Sequence, residues 1–163
     1  MPRIVVFGNS GSGKSTLAKE LAATHSCPHL DLDTVAWDET NSNPPTRKSL
    51  ASSMEQLKPF LMENSQWVVE GCYADLLGAI IPSSTEIIFL NPGVATCQEN
   101  CRDRPWEPHK YDSPEAQNAN LSMLMTWIEQ YSQREDEFSL AAHEALFQAY
   151  TGFKREFTSN ARH

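Results

Sequence analysis

A short glycine-rich segment near the start of the chain has the residue types and the spacing that bind phosphate groups. Residues 8–15 are Gly-Asn-Ser-Gly-Ser-Gly-Lys-Ser, which matches the Walker A pattern G-x-x-x-x-G-K-[ST]. In this pattern the glycines let backbone N–H groups point at phosphate oxygens, the lysine reaches the β- and γ-phosphates, and the last hydroxyl ligates Mg²⁺. The sequence therefore predicts a nucleotide-binding loop made of Gly8, Asn9, Ser10, Gly11, Ser12, Gly13, Lys14, Ser15 and Thr16.

Three carboxylates at the ends of two other apolar segments are candidates for binding Mg²⁺ or a substrate hydroxyl. Asp31 and Asp33 end one segment, and Glu70 ends the other. Two acids that face a phosphate site repel each other unless a cation or a hydroxyl-bearing ligand lies between them. The residues alone leave open whether Glu70 or the Asp pair holds the metal, so the predicted metal set is Ser15, Asp31 and Glu70.

The elements that must position these residues alternate between short apolar runs and amphipathic segments. Strands are predicted at 4–7, 29–33, 67–71 and 86–90, and a fifth strand at 153–158 is left open. Helices are predicted at 15–24, 50–63, 74–80, 94–102, 115–133 and 137–150, and loops at 39–45 and 104–114. Pro59 is expected to kink or end the second helix. Apolar strands without alternating polarity are typical of parallel sheets, and right-handed crossovers place helices on both faces. We therefore expect an α/β fold, a P-loop NTPase three-layer sandwich with a mainly parallel sheet of four or five strands. Ligands bind such sheets beyond the carboxyl ends of the strands.

The composition fits one domain that spans residues 1–163. The 13 basic and 21 acidic residues give a net charge of -8, which argues against a nucleic-acid partner because such proteins usually carry a basic surplus. No apolar run approaches the roughly 20 residues that span a bilayer, and the first residues lack a leader pattern, so a cytoplasmic location without membrane contact is expected. The four cysteines show neither CxxC nor zinc spacing and are expected to be reduced thiols. The protein is expected to be a monomer or a homodimer.

The phosphate-binding loop, the acids after the second strand and a segment rich in charge and proline near residue 104 resemble the small P-loop kinases, namely adenylate, shikimate and gluconate kinases. Residues 31–37 (Asp-Leu-Asp-Thr-Val-Ala-Trp) and 67–73 (Trp-Val-Val-Glu-Gly-Cys-Tyr) are most similar to the adenylate-kinase-related proteins often labelled "DNA topology modulation". The resemblance covers about residues 1–105. It implies ATP and Mg²⁺ as cofactors, an acceptor-binding insert at about 34–63 and a lid at about 103–133.

The resemblance also implies roles for individual residues. The implied catalytic residues, which neutralise the transferring phosphoryl group or orient the acceptor, are Lys14, Asp33, Arg102, Arg104 and Arg134. The implied acceptor-binding residues are Asp31, Asp33, Trp37, Arg47 and Gly71. Trp106, His109, Lys110 and Tyr111 in the lid are either ligand contacts or a cover for a hydrophobic edge.

Two departures from the adenylate kinase pattern argue against a nucleoside monophosphate as the phosphoryl acceptor. No arginine follows Gly71 before Arg102, and the arginine expected one helix-length after Arg134 is absent. The function predicted is an ATP-binding phosphotransferase that moves the γ-phosphoryl group of Mg-ATP to a small-molecule acceptor, at a hydroxyl. The alternative is a nucleotide-binding regulatory module with slow or no turnover. The net charge argues against the role in DNA binding that the family label suggests.

Overall fold

Five parallel strands form the main sheet of the protein. The computed structural model describes residues 1–38 and 46–161. In chain order the strands are β1 (Arg3–Gly8), β2 (His29–Asp31), β3 (Trp37–Asp38), β4 (Thr46–Arg47), β5 (Trp67–Gly71), β6 (Glu86–Leu90) and β7 (Phe153–Phe157). The main sheet has the order β2-β5-β1-β6-β7, and β3 pairs with β4 in a small antiparallel sheet. Every neighbouring pair in the main sheet is parallel, so all its carboxyl ends lie at one edge.

Helices cover both faces of this sheet. They are α1 (Lys14–His25), α2 (Asp33–Ala36), α3 (Leu50–Glu63), α4 (Ala74–Ile80), α5 (Val94–Arg102), α6 (Pro114–Glu129) and α7 (Leu140–Ala149). Successive residues of a strand face opposite sides of a sheet, so Val5 and Phe7 pack with α3, α4 and α7, whereas Ile4 and Val6 pack with α1. This arrangement confirms the predicted α/β fold with a parallel sheet, and β7 is the fifth strand that the sequence left open.

The structure differs from the sequence-based prediction at several element boundaries. The second strand ends at Asp31 rather than at Asp33, because the Asp31 carboxylate accepts a hydrogen bond from the Asp33 backbone N–H (2.9 Å) and turns the chain into α2. The last helix begins at Leu140, three residues later than predicted, where the Ser139 side chain caps it. The predicted helix 115–133 ends at Glu129 and continues as a 3₁₀ turn.

Pro59 does not end its helix, since α3 continues to Glu63. Both Pro59 and Glu55, whose carbonyl loses its helical hydrogen bond, are exposed, so water can satisfy that carbonyl. Leu50, at the first position of α3, is 43% exposed. The predicted loop at 39–45 lies outside the residues that the structure describes.

All four cysteines are free, as the sequence indicated. Cys97 and Cys101 are buried and pack with Ile128 of α6. Burial raises the pKa of the Cys97 thiol to about 11, so this side chain stays neutral and acts as a small apolar residue.

The packing of α3 on the sheet generates a test of the fold. Leu57 is fully buried in the core, whereas Met62 on the same helix is 82% exposed. Leu57→Ala is expected to lower the free energy of unfolding by about 2–5 kcal/mol through lost burial and a cavity. Met62→Ala is the control and is expected to change it by less than about 0.5 kcal/mol. Urea denaturation measures both, and equal losses would contradict the described orientation of α3.

Candidate active site

The loop between β1 and α1 has a backbone conformation that only glycine accommodates well. Gly11 and Gly13 have φ angles of +79° and +94°. A Cβ atom at Gly11 would lie 2.4 Å from the Cys97 carbonyl oxygen, and one at Gly8 would lie 2.3 Å from the Leu90 carbonyl oxygen. The loop is therefore wedged against the carboxyl end of β6 and against α5, which fixes its curvature.

Polar groups inside this loop fit a phosphate ligand. The Lys14 Nζ atom donates to the Asn9 carbonyl oxygen at 2.7 Å, so the ammonium group folds back over the loop. The Ser12 hydroxyl is buried and has no hydrogen-bond partner within the described residues. A buried hydroxyl without a partner is costly, and a phosphate oxygen bound in the loop would satisfy it.

The register of β2 against β5 places two of the predicted acids side by side. Asp31 pairs with Glu70 across the two parallel strands. Glu70 is only 2% exposed and is hydrogen-bonded to His29 Nε2 at 3.1 Å. Burial raises the pKa of the Glu70 carboxyl, but the hydrogen bonds from His29 and Ser15 and the charge of Lys14 outweigh it and leave this pKa below its usual value. Glu70 is therefore ionised beside the phosphate loop.

The pKa of the Asp31 carboxyl is shifted in the opposite direction to that of Glu70. The partial burial of Asp31, followed by the charges of Asp33 and Glu70, raises the pKa of its carboxyl to about 6, although the Asp33 backbone N–H and Lys110 act in the other direction. Like charges held together at one edge of a sheet mark a place where a cation or a hydroxyl group relieves repulsion. Strongly perturbed pKa values cluster at functional sites, so the raised pKa makes Asp31 a candidate residue of such a site.

The Asp33 carboxylate is exposed, but its orientation is fixed by aromatic residues. The Tyr73 hydroxyl donates a short hydrogen bond to Asp33 Oδ1, and Trp37 Nε1 donates to the Tyr73 oxygen at 2.8 Å. Burial raises the pKa of the Tyr73 hydroxyl, so it remains a donor. Lys110 Nζ lies 3.7 Å from Asp33 Oδ2. The second oxygen of Asp33 thus faces a cationic lid residue rather than the protein core.

A cavity of about 530 Å³, termed here the nucleotide cavity, joins these groups. It is lined by loop residues, by the strand-end acids and by the lid segment 104–111. The predicted site residues that line it are Ser10, Gly11, Gly13, Lys14, Ser15, Thr16, Asp31, Asp33, Glu70, Gly71 and Arg104. The predicted loop residues Gly8, Asn9 and Ser12 are buried at the base of the loop and do not line the cavity.

Four predicted site residues outside the loop also do not line the nucleotide cavity. Arg47 forms ion pairs with Asp75 (3.0 Å) and Glu137 (3.2 Å). The Arg134 guanidinium stacks 3.2 Å from the centre of the Trp127 ring and donates to the carbonyl oxygen of the same residue. Arg102 is exposed beside a separate cavity of about 30 Å³, and Trp37 borders a neighbouring cavity of about 900 Å³ together with Asp31 and Asp33.

Sequence reasoning missed three residues of this site: His29, Tyr73 and Glu107. His29 lies two residues before Asp31 in β2, so it shares a face of the strand with that acid, and this period was a usable signal. Glu107 forms ion pairs with Arg104 (3.2 Å) and Lys110 (3.6 Å), so it holds these two cationic side chains near each other. No periodicity or motif in the sequence singles out Tyr73 as a residue of the site.

Residues 1–38 and 46–161 contain no group of three or more His, Cys, Asp or Glu side chains that could hold a metal ion. No helix in this part of the chain is long and apolar enough to cross a membrane.

Comparisons with known proteins place the fold but no family. No protein-family model matches the chain, and no curated protein matches it. The crystal structure of shikimate kinase from Acinetobacter baumannii in complex with shikimate is similar, with a TM-score of 0.54 at 12% identity, over 99% of this chain and 86% of that chain. A gluconokinase from Sinorhizobium meliloti 1021 gives a TM-score of 0.48 at 20% identity, over 91% of this chain and 98% of that chain. The chain has the P-loop NTPase α/β fold, and its resemblance to the adenylate-kinase-related proteins stays a prediction.

The raised pKa of Asp31 generates a test of the charge cluster. Because the carboxyl titrates near 6 in the folded protein and near 3.8 when unfolded, its charge destabilises the fold above pH 6, and this cost fades as the pH falls toward 3.8. Asp31→Asn is therefore expected to raise the free energy of unfolding by about 2 kcal/mol at pH 7.5, and by much less at pH 4.5.

Urea denaturation at the two pH values measures this difference. Asp112→Asn, an exposed substitution in the lid loop, is the matched control and is expected to have little effect at either pH. If Asp31→Asn destabilised the protein at pH 7.5, the carboxylates would not repel one another as described.

Proposed function

We propose that the protein is an ATP-dependent phosphotransferase that transfers the γ-phosphoryl group of Mg-ATP to a hydroxyl of a small molecule. One observation carries this proposal. A single cavity joins the Lys14 loop, which is built for phosphate, to the carboxylates of Asp31 and Asp33, which suit a hydroxyl, and to the lid residue Arg104. Phosphoryl transfer requires these three chemical functions close together, because its catalysis consists mostly of positioning and charge neutralisation.

The loop supplies the nucleotide end of the proposed site. Lys14 is to leave the Asn9 carbonyl oxygen and neutralise the β- and γ-phosphates, and Ser12 is to gain its missing partner. When bound, Mg-ATP supplies the phosphoryl group, and Mg²⁺ reduces the negative charge on it. Ser15, Asp31 and Glu70 are the proposed ligands, direct or through water, because Mg²⁺ needs only one or two carboxylates when phosphates complete its coordination.

The acceptor end of the site depends on Asp33. We assign to its carboxylate the acceptor hydroxyl, whose proton it accepts as that oxygen attacks phosphorus. Tyr73 binds Oδ1 of Asp33, and a substrate hydroxyl would compete with Lys110 for Oδ2. Gly71 lines the nucleotide cavity, and its lack of a side chain leaves room for the buried Leu32, which a Cβ atom there would approach to 2.8 Å. The insert at about 34–63 and the lid at about 103–133 are the proposed walls of the acceptor region in a single domain.

The lid supplies the remaining positive charge. Arg104 lines the nucleotide cavity and is paired with Glu107, so a bound phosphoryl group would compete with that glutamate for the guanidinium. Arg102 and Arg134 have other surroundings, and their proposed catalytic roles require the lid to rearrange.

The second candidate function is a nucleotide-binding module with slow or no turnover. One observation favours it: of the three predicted catalytic arginines, only Arg104 lines the nucleotide cavity. Without such charges, nucleotide binding is possible but phosphoryl transfer is slow.

A coupled ADP-release assay with Mg-ATP and a panel of sugars, polyols and nucleosides tests the proposal. Acceptor-dependent release is expected, and Asp33→Asn is expected to lower kcat by about 100-fold or more while the affinity for ATP changes little. Glu144→Gln, an exposed acid on α7 outside the cavity lining, is the control and should keep full activity.

Two results would count against this assignment. Unchanged transfer in Asp33→Asn would show that this carboxylate is not the group that handles the acceptor proton. Slow hydrolysis that no acceptor stimulates would favour the nucleotide-binding module.

A further inference from the structure

The cavity of about 900 Å³ beside the nucleotide cavity, termed here the acceptor cavity, has a charge balance that restricts its ligand. Asp31, Asp33, His109, Lys110 and Tyr111 line both cavities, so a molecule in one lies next to a molecule in the other. The acceptor cavity adds Trp37, Asp38 and Lys48 to its walls. It is the place from which a hydroxyl reaches Asp33.

Carboxylates outnumber lysines among the described walls of the acceptor cavity. Asp31, Asp33 and Asp38 face two lysines. The ammonium group of Lys110 lies within 3.7 Å of Asp33 and 3.6 Å of Glu107, and Lys48 donates to the side chain of Gln56. Both cations are therefore engaged by groups of the protein itself. Their charge does not provide a ready binding site for an anion.

Arg47 is the guanidinium nearest to this region in sequence, but the fold directs it elsewhere. It pairs with Asp75 and Glu137, and its guanidinium lies 4.7 Å from the centre of the Tyr73 ring. No arginine lines the acceptor cavity in the described part of the chain. Residues 39–45, outside that part, contain one charged residue, Glu39, which is acidic.

An anionic acceptor would have to approach these carboxylates against their field. Hydroxyl groups have no such difficulty, because carboxylate oxygens accept hydrogen bonds from them. Two carboxylates two residues apart, Asp31 and Asp33, suit a ligand with neighbouring hydroxyls. The rings of Trp37 and Tyr111 offer apolar surface for the carbon face of such a molecule.

We infer that the acceptor is an uncharged molecule with neighbouring hydroxyl groups. Free sugars, polyols and the ribose of a nucleoside share this chemistry. That this molecule serves as a phosphoryl acceptor rests on the proposed function. Its preference for an uncharged ligand is a property of binding, and a binding measurement tests it.

The test uses the full chain with a saturating non-hydrolysable Mg-ATP analogue and measures ligand binding by saturation-transfer difference NMR. Matched pairs differ only in a charged group: D-glucose with D-gluconate, and uridine with uridine monophosphate. The uncharged member of at least one pair is expected to bind about tenfold more tightly than its anion, and the pair that responds identifies the free sugar or the nucleoside. ADP release from Mg-ATP is measured with the same compounds.

The outcomes separate this inference from the proposed function. Tighter binding of the uncharged member without ADP release would support the inference and contradict the kinase activity. Tighter binding of the anion, with ADP release, would overturn the inference and leave the kinase activity standing. If neither member of either pair bound, the inference would be wrong in the form stated.

A charge-neutralising variant checks the physical cause. Asp38→Asn keeps the shape of the side chain and removes one negative charge from the acceptor cavity. It is expected to reduce the preference for the uncharged member by about fivefold. Glu144→Gln, an exposed acid on α7 outside the cavity lining, is the control and should leave the preference unchanged. An unchanged preference in Asp38→Asn would overturn the electrostatic argument.

Discussion

The partial burial of carboxylates at the ends of β2 and β5, where the parallel register places Asp31 beside Glu70, is the constraint on which the rest of the site depends. His29, Ser15 and Lys14 keep the buried Glu70 ionised, whereas burial, followed by the charges of Asp33 and Glu70, raises the pKa of Asp31. A fold that keeps such a cluster gives up stability for binding. A divalent cation bound with phosphates at the nearby loop, as the proposed function requires, would relieve this cost.

A second network of hydrogen bonds orients the Asp33 side chain. Trp37 donates to Tyr73, and Tyr73 donates to Asp33, so an exposed carboxylate gains a defined orientation from buried rings. Arg47 packs over Tyr73 and ties the β3–β4 pair to Asp75 and Glu137. In the described structure this arginine therefore supports the β3–β4 pair through internal ion pairs, and its contact with an acceptor stays a prediction.

The parts of the structure that sequence reasoning could predict are those that depend on local patterns. The loop at 8–15, the strands and the strand-end acid Glu70 follow from residue types within a few positions. Asp33 departs from its predicted strand because of one Asx hydrogen bond to Asp31, which short-range patterns specify weakly. The partners of Arg47 lie 28 and 90 residues away, so only the fold determines that it pairs internally. Long-range ion pairs of this kind have no signature in a single sequence.

The central claim is that the loop at 8–15 binds a nucleotide through Lys14, and calorimetric titration with Mg-ATP tests it most directly. Wild-type protein is expected to bind with a stoichiometry near one. Lys14→Ala is expected to weaken binding by about 100-fold, because it removes the cation that faces the phosphates. Lys58→Ala, an exposed residue of α3, should bind as the wild type does. Wild-type protein that does not bind Mg-ATP, or a Lys14→Ala variant that binds it equally well, would contradict the account.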